Sequence, residues 1–377
     1  NRGRLGKTLW TDGERGAPLQ LYAAFNELEE ARFVAARIQH WVEQGGMRRD
    51  IAVLYRSNAQ SRVFETTFNE SRIPYRVYGG LRFFERAEIK DALAYLRLTS
   101  NRHDDPSLER IINHPPRGIG ERSLDILRTY ARSNNVSLWE AACHAAEIDA
   151  FTPRAANAIL QFVHLINRMA SETHNLPLGE QVDIVIALSA LKPHFLAKEK
   201  GEAGQARVEN LGELVTAAQS FSYQPSAESA EMDSLSAFLA FAALEAGEGQ
   251  ATVGEDCVQL MTLHSAKGLE FPLVFLCGLE EGLFPHQMSA DDPSRLEEER
   301  RLCYVGITRA ERELILTYAE QRQLHGRTQF NPPSRFLREL PEELVEEIRP
   351  KVKTYAPTRY SDTGGHRLPA APLRTVH

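Results

Sequence analysis

The sequence predicts an α/β lobe that is split in two by a long all-helical insert. Three observations predict it. Residues 17–80 alternate strand and helix signals, residues 81–254 read as helix after helix with almost no strand signal, and the alternation returns after Gly254. In the first part, QLYAAF (20–25) is an apolar strand run, and Asn26 can cap the helix that follows, with Glu29 three residues on in a capping-box relation. Ala31, Val34, Ala35, Ile38 and Trp41 then share one face of that helix, the stripe of a core-facing helix. IAVLY (51–55) has the uninterrupted apolar character of a strand covered on both faces. Ser57 or Asn58 caps the next helix, YRVY (75–78) is a further strand, and Gly79-Gly80 breaks the chain.

Within the insert, helical periodicity is clearest over 89–98, 124–130, 155–169, 208–221 and 235–244, and residues 225–233 form an acidic, Ser-containing linker. After Gly254 come the strands VQLMTL and PLVFLCG, a helix over 295–305 and the strand ELILTYA. Beyond Pro350 the tail lacks apolar periodicity and is expected to be disordered. The expected divisions are 1–80 and 255–345 for the two parts of the lobe, 81–254 for the insert and 346–377 for the tail.

With 377 residues, 42% of them hydrophobic and 25% charged, the chain has the size and composition of a two- to three-domain globular protein. A formal net charge of −7 excludes a uniformly basic nucleic-acid coat, so any such contact must come from local patches. The four cysteines, 143, 257, 277 and 303, have neither zinc-site nor disulfide-framework spacing and fit a reducing, cytoplasmic setting. No apolar run approaches the length that crosses a membrane, and no membrane partner is expected. The chain starts at Asn1 without methionine and reads as a piece of something longer.

Two segments carry most of the chemistry, CVQLMTLHSAKGLEF (257–271) and EEERRLCYVGITRAERELIL (297–316). Both polar runs are expected at the carboxyl ends of strands, where α/β sheets present ligand-binding loops. Thr262 and His264 end a strand and suit a phosphate or base of a single strand. Gly268 permits close backbone approach, and Glu270 can accept from ribose hydroxyls. Taken singly, His264 reads better as a satisfied loop histidine and Glu270 as a solvated charge. Arg309 closes an apolar helix and precedes a strand, a place from which a guanidinium can reach a γ-phosphate. An ion pair with Glu297–Glu299 is the alternative, but Arg300 and Arg301 are better placed for those carboxylates. No metal-ligating cluster stands out.

A third element, HPPRGIGERSLDIL (114–127), joins two helices through Gly118-Ile119-Gly120, with Ser123 opening the second helix and Arg117 and Arg122 flanking the turn. Such a turn can hold a phosphate on backbone N–H groups, and can equally be an ordinary helix–helix connection. YRSNAQSR (55–62) sets Arg56, Asn58 and Arg62 at a strand end. In RVYGGLRFFERAEIKD (76–91), Phe83 and Phe84 suit base stacking or burial. NRGRLGKT at the start mimics the end of a phosphate loop, but Asn1 stands where the first glycine belongs.

Together, TLHSAKGLEF, EEERRLCYVGITRA, LYRSNAQSR, YRVYGGLRFFERAEIKDALAYLRL and RGIG resemble the UvrD/Rep/PcrA-type superfamily 1 DNA helicases, from the first residues to about Pro341. The resemblance implies that the lobe is the RecA-like domain 2A of such an enzyme and the insert its domain 2B. It implies an ATP-dependent 3′→5′ translocase and helicase of DNA repair and replication, with single-stranded DNA and single-strand/duplex junctions as substrates and repair proteins as partners. Thr262, His264 and Arg56 would contact the single strand, and Gly268 and Glu270 the nucleotide. Arg309 would meet the γ-phosphate, and Gly118, Gly120 and Ser123, flanked by Arg117, the duplex backbone. The cofactors would be ATP and Mg²⁺. The phosphate-loop lysine and metal ligands belong to domains 1A and 1B, which this chain lacks, so alone it is expected not to hydrolyse ATP. Two alternatives are a non-catalytic DNA-binding module and the helicase subunit of a helicase-nuclease.

Overall fold

The structure, a computed structural model, describes residues 16–223, 232–247, 251, 254–324 and 326–348. The glycine-lysine motif at 1–8, most of the acidic linker and the tail beyond 350 lie outside the described residues.

The chain opens with β1 (Leu19–Ala24), α1 (Glu27–Glu43), β2 (Ile51–Tyr55), α2 (Ser61–Glu70) and β3 (Tyr75–Val77). The insert follows as α3 (Ala87–Ser100), α4 (Asp105–Ile111), α5 (Glu121–Asn134), α6 (Leu138–Cys143), α7 (Pro153–Thr173), α8 (Leu178–Ser189), α9 (Leu191–Lys198), α10 (Glu202–Ser220) and α11 (Ser234–Gly247). The lobe is completed by β4 (Val258–Thr262), β5 (Phe271–Leu276), α12 (Pro293–Ile307), β6 (Ala310–Ala319), the hairpin strands β7 (Arg322–Leu324) and β8 (Arg327–Gln329), and β9 (Val345–Glu347). Seven strands form one parallel sheet in the order β3-β4-β2-β5-β6-β1-β9. Strands from both sides of the insert are interleaved in that order, so neither part of the lobe makes the sheet alone.

The fully buried IAVLY run explains why β2 lacks a polar face. Ile51, Val53 and Tyr55 pack under α1 and α2, while Ala52 and Leu54 pack on the opposite face with Met261, Leu276 and Cys303 of α12. The insert has a separate core, with Tyr95, Leu127, Phe162, Ile186 and Leu214 at its centre. Asn26 caps α1 as expected, its Oδ1 accepting from Glu29 N at 2.8 Å. The reciprocal bond of Glu29 goes one residue further back, to Phe25 N at 2.6 Å.

The structure departs from the sequence reading at three points. Residues 345–347 pair with Leu19–Leu21 as an edge strand, so the proposed tail cannot begin at 346. The β7–β8 hairpin was not expected, because its three-residue strands are too short to show periodicity. Phe83 and Phe84 are both buried, in edge-to-face contact at 5.1 Å, which removes them as stacking platforms. The segment between them and α3 is pinned, since Arg86 donates to Asn58 O, Ser61 Oγ and Asn210 Oδ1 and thereby ties the lobe to α10.

Candidate strand and nucleotide edges of the sheet

The two motif segments do not share one edge of the sheet: 257–271 spans both edges, and 297–316 brings Arg309 to the amino edge. Thr262 ends β4 at the carboxyl edge, level with Tyr55 of β2, and Arg56 follows directly. Gly268, Glu270 and Arg309 stand at the amino edge instead, because Phe271 opens β5, Ala310 opens β6, and the two residues pair in register. The expectation that both polar runs occupy the carboxyl edge is thus half wrong. The reason is topological: a parallel connection must return to the start of the next strand, so residues 263–270 cross the whole sheet. At about 3.3 Å per residue, the six residues of β5 separate the two ends by roughly 17–20 Å.

At the amino edge, Arg309 folds back onto neutral oxygens. Its Nε donates to Val305 O at 3.0 Å, Nη1 to Leu269 O at 2.5 Å and Nη2 to Thr308 Oγ1 at 3.0 Å. No carboxylate pairs with it among the described residues, so the alternative of an ion pair with Glu297–Glu299 is not realised. Arg301 does meet Glu297 and Glu298, but Arg300 pairs with Glu339 and Glu299 with Arg56. Gly268 has φ +86° and open space at its Cβ position, and Glu270 is exposed beside it. The edge thus presents a guanidinium without an anion next to a glycine turn and a carboxylate, a set that fits the phosphate and ribose of a nucleotide. No group of three or more His, Cys, Asp or Glu among the described residues could hold a metal ion.

At the carboxyl edge a cleft of about 710 Å³ lies between the lobe and the insert, lined by Arg56, Thr262, His264, Glu202, Glu209 and Glu299, among others. Thr262 Oγ1 and Ser265 Oγ lie 3.1 Å apart and fix the turn that presents His264. Burial, and then the Arg56 charge, hold the His264 imidazole below its ordinary pKa of 6.5. Arg56 is almost enclosed. Burial alone would lower its pKa, but the Glu299 carboxylate reverses this and raises it. The insert reaches into the same cleft, where Glu209 Oε2 accepts from Ser57 Oγ at 2.5 Å and Glu209 Oε1 lies 3.0 Å from His286 Nε2. Arg62 is committed to Glu213 of α10 at 2.5 Å.

Glu299, Glu202 and Glu209 were missed by the sequence reasoning. For Glu299 a signal existed: it shares a helical face with Leu296, Cys303 and Gly306, at spacings of three, four and seven, so periodicity turns it inward. Gly306 also joins the two motif segments, since a Cβ there would stand 2.5 Å from Leu263, the residue between Thr262 and His264.

No residue of the insert's glycine turn lines the cleft. Asn113 Oδ1 accepts from Arg117 N at 2.8 Å and Ile119 N at 3.2 Å, which shapes the turn. Gly118 has φ +80°, Gly120 caps α5, and Ser123 sits in the first turn of that helix. Gly118, Gly120 and Arg122 are exposed. Arg117 turns inward instead, donating to Ile111 O, Pro115 O and Tyr95 Oη and lying over the Tyr95 and Phe162 rings.

Residues 1–321 match the family model of the UvrD-like helicase C-terminal domain. The chain belongs to this family. Over 364 residues, 97% of this chain and 50% of the relative, it is 55% identical to DNA helicase II of Escherichia coli (strain K12). Against DNA helicase II of Haemophilus influenzae it is 56% identical over 349 residues, 93% of this chain and 48% of the relative. Against the ATP-dependent DNA helicase PcrA of Bacillus subtilis it is 42% identical over 364 residues, 94% of this chain and 48% of the relative. The chain thus spans about half the length of the curated relatives it matches. As a UvrD-like C-terminal domain it has the expected parallel sheet and helical insert, and no helix among the described residues is long and apolar enough to cross a membrane.

Proposed function

We propose that this chain is the C-terminal half of the motor of an ATP-dependent 3′→5′ DNA helicase, its lobe being domain 2A and its insert domain 2B. The observation that carries this is the division of one short segment between two edges. Thr262 and His264 face the cleft at the carboxyl edge, Gly268 and Glu270 lie beside Arg309 at the amino edge, and residues 263–270 join them across the sheet. A shift of that crossover moves both edges together, which is what coupling strand grip to nucleotide state requires. Glu270 and Gly268 would hold the ribose side of ATP, and Arg309 its γ-phosphate. When bound, ATP with Mg²⁺ supplies the hydrolysable phosphoanhydride. The phosphate-loop lysine and metal ligands would come from domains 1A and 1B of the same protein. The single strand would lie along Arg56, Thr262 and His264. A duplex ahead of it would meet the N–H groups of Gly118, Gly120 and Ser123 together with Arg122, while Arg117 supports the turn from behind.

The deciding experiment uses the full-length protein. Single-stranded DNA should stimulate ATP hydrolysis, and a duplex with a 3′ single-stranded tail should be unwound while one with only a 5′ tail should not. The present chain alone should hydrolyse no ATP. Stimulation with unwinding of neither substrate would overturn the helicase assignment, and hydrolysis by this chain alone would overturn the division of the ATP site.

The lowered pKa of His264 fixes the sign of a pH effect. At pH 7–8 the imidazole is neutral, so it can contribute a hydrogen bond or a ring face to the strand but no charge. Strand affinities of the wild type and His264→Gln should therefore run parallel between pH 8 and 7. They should diverge only below about pH 6.5, the ordinary value, as protonation adds a phosphate contact to the wild type. Divergence already between pH 8 and 7 would show a charged His264 and contradict the assignment.

A further inference from the structure

We propose that Glu299 is the positioning residue for Arg56: it orients the guanidinium so that one edge faces the cleft for a strand phosphate. This rests on the proposed strand role of Arg56 and adds the group that makes the role possible. Arg56 gives one edge wholly to Glu299. Its Nε donates to both carboxylate oxygens at 3.0 Å and its Nη2 to Oε1 at 2.7 Å. Glu299 also accepts from His286 N at 3.1 Å and is itself only 4% exposed, so its carboxylate is fixed from two sides. A guanidinium offers five N–H groups in a rigid plane, so fixing the Nε/Nη2 edge aims the Nη1/Nη2 edge.

That second edge points to the cleft. Nη2 meets Glu202 Oε1 of the insert at 3.2 Å, and Nη1 makes no hydrogen bond among the described residues. The two carboxylates differ in kind. The Glu299 side chain is 5% exposed and that of Glu202 is 70% exposed, so the Glu202 contact is a solvent-screened pair that an incoming phosphate can replace at little cost, and the Glu299 contact is not. Glu299 stands on α12, whose C-terminal end leads through Thr308 to Arg309. The strand-facing guanidinium is thereby anchored on the helix that carries the γ-phosphate arginine.

Electrostatics and positioning predict opposite signs for one substitution. If Glu299 acted only as a negative charge near the strand, Glu299→Gln would tighten DNA binding. If it positions Arg56, the same change should weaken binding. In the full-length protein without nucleotide, binding of a fluorescent oligothymidylate is followed by anisotropy over a range of salt concentrations. Glu299→Gln should raise Kd about tenfold, the effect of one charge-assisted contact, and reduce the salt slope by about 0.7, the share of one phosphate on a single strand. Arg56→Ala should do the same, and the double variant should bind no more than about twofold worse than Arg56→Ala. The DNA concentration that half-saturates ATPase stimulation should rise in step, with a smaller change in the saturated rate. Where Glu299→Gln does not fold, Glu299→Asp retains the charge one methylene short and should weaken binding several-fold. Unchanged or tighter binding by the folded Glu299 variant, or additive losses in the double variant, overturns the proposal. Those results with Arg56→Ala weakened remove the positioning role alone, whereas normal binding by Arg56→Ala removes the strand role of Arg56 as well.

Discussion

Arg309→Ala in the full-length protein is expected to lower the rate of DNA-stimulated ATP hydrolysis by about 10³-fold or more, the range in which an arginine finger acts. On the transition-state scale this is about 4 kcal/mol. The structure gives two reasons to expect so large an effect from one side chain. The guanidinium donates to Val305 O, Leu269 O and Thr308 Oγ1, all neutral acceptors, so it can move to an anion without breaking an ion pair. One of those acceptors, Leu269 O, lies between Gly268 and Glu270, so the arginine is already docked on the loop proposed to hold the rest of the nucleotide. Arg309→Lys keeps the charge but loses the planar fork, and should recover only a minor part of the rate. Single-strand affinity without nucleotide should change by less than about threefold, since Arg309 and the cleft stand at opposite ends of the strands. Hydrolysis within tenfold of the wild type would remove the finger role.

The lobe and its insert were legible because their signals are local: IAVLY is too uniformly apolar for a half-exposed strand, and α1 shows its buried stripe at helical spacing. The motif residues were legible as types in a pattern. Their assignment to edges was not, because the edge depends on which strand a loop returns to, and strand order is a long-range property. Gly268 and Glu270 follow His264 closely in sequence and still lie across the sheet from it. Partner choice was similarly hidden. Glu299 lies beside Arg300 and Arg301 in sequence but pairs with Arg56, 243 positions away. Arg117 has the sequence context of a phosphate ligand, yet buried acceptors and aromatic rings turn it inward.

The largest effect on stability is expected at a buried charge cluster with no place in the proposed chemistry. Arg322 is enclosed between two carboxylates: its Nη2 donates to Glu30 Oε2 at 2.5 Å and to Glu280 Oε1 at 2.6 Å, and its Nε also donates to Glu280. Burial alone would lower the guanidinium's pKa, but the two carboxylates raise it well above the usual value. Burial raises the Glu280 pKa in spite of Arg322. The carboxylates also accept from the backbone, Glu30 from Gly278 N at 2.9 Å and Glu280 from Ala319 N at 2.8 Å, so an apolar replacement of the whole cluster would leave those N–H groups unpaired. Arg322→Met leaves two buried carboxylates facing each other and should cost about 3–5 kcal/mol at pH 8 in urea unfolding. The sign with pH follows from the charge removed. Without Arg322 the Glu280 carboxyl pKa, already raised by burial, rises further above the unfolded value of about 4.3, so stability lost at high pH returns as that carboxyl takes up its proton on acidification. The deficit should therefore shrink between pH 8 and pH 5.5, and a deficit below about 1 kcal/mol, or one independent of pH, would show that the cluster is not held by charge. The consequence reaches the cleft. Glu280 lies at the start of the loop that brings His286 N to Glu299, so a loosened cluster should also weaken single-strand binding through the same carboxylate that orients Arg56.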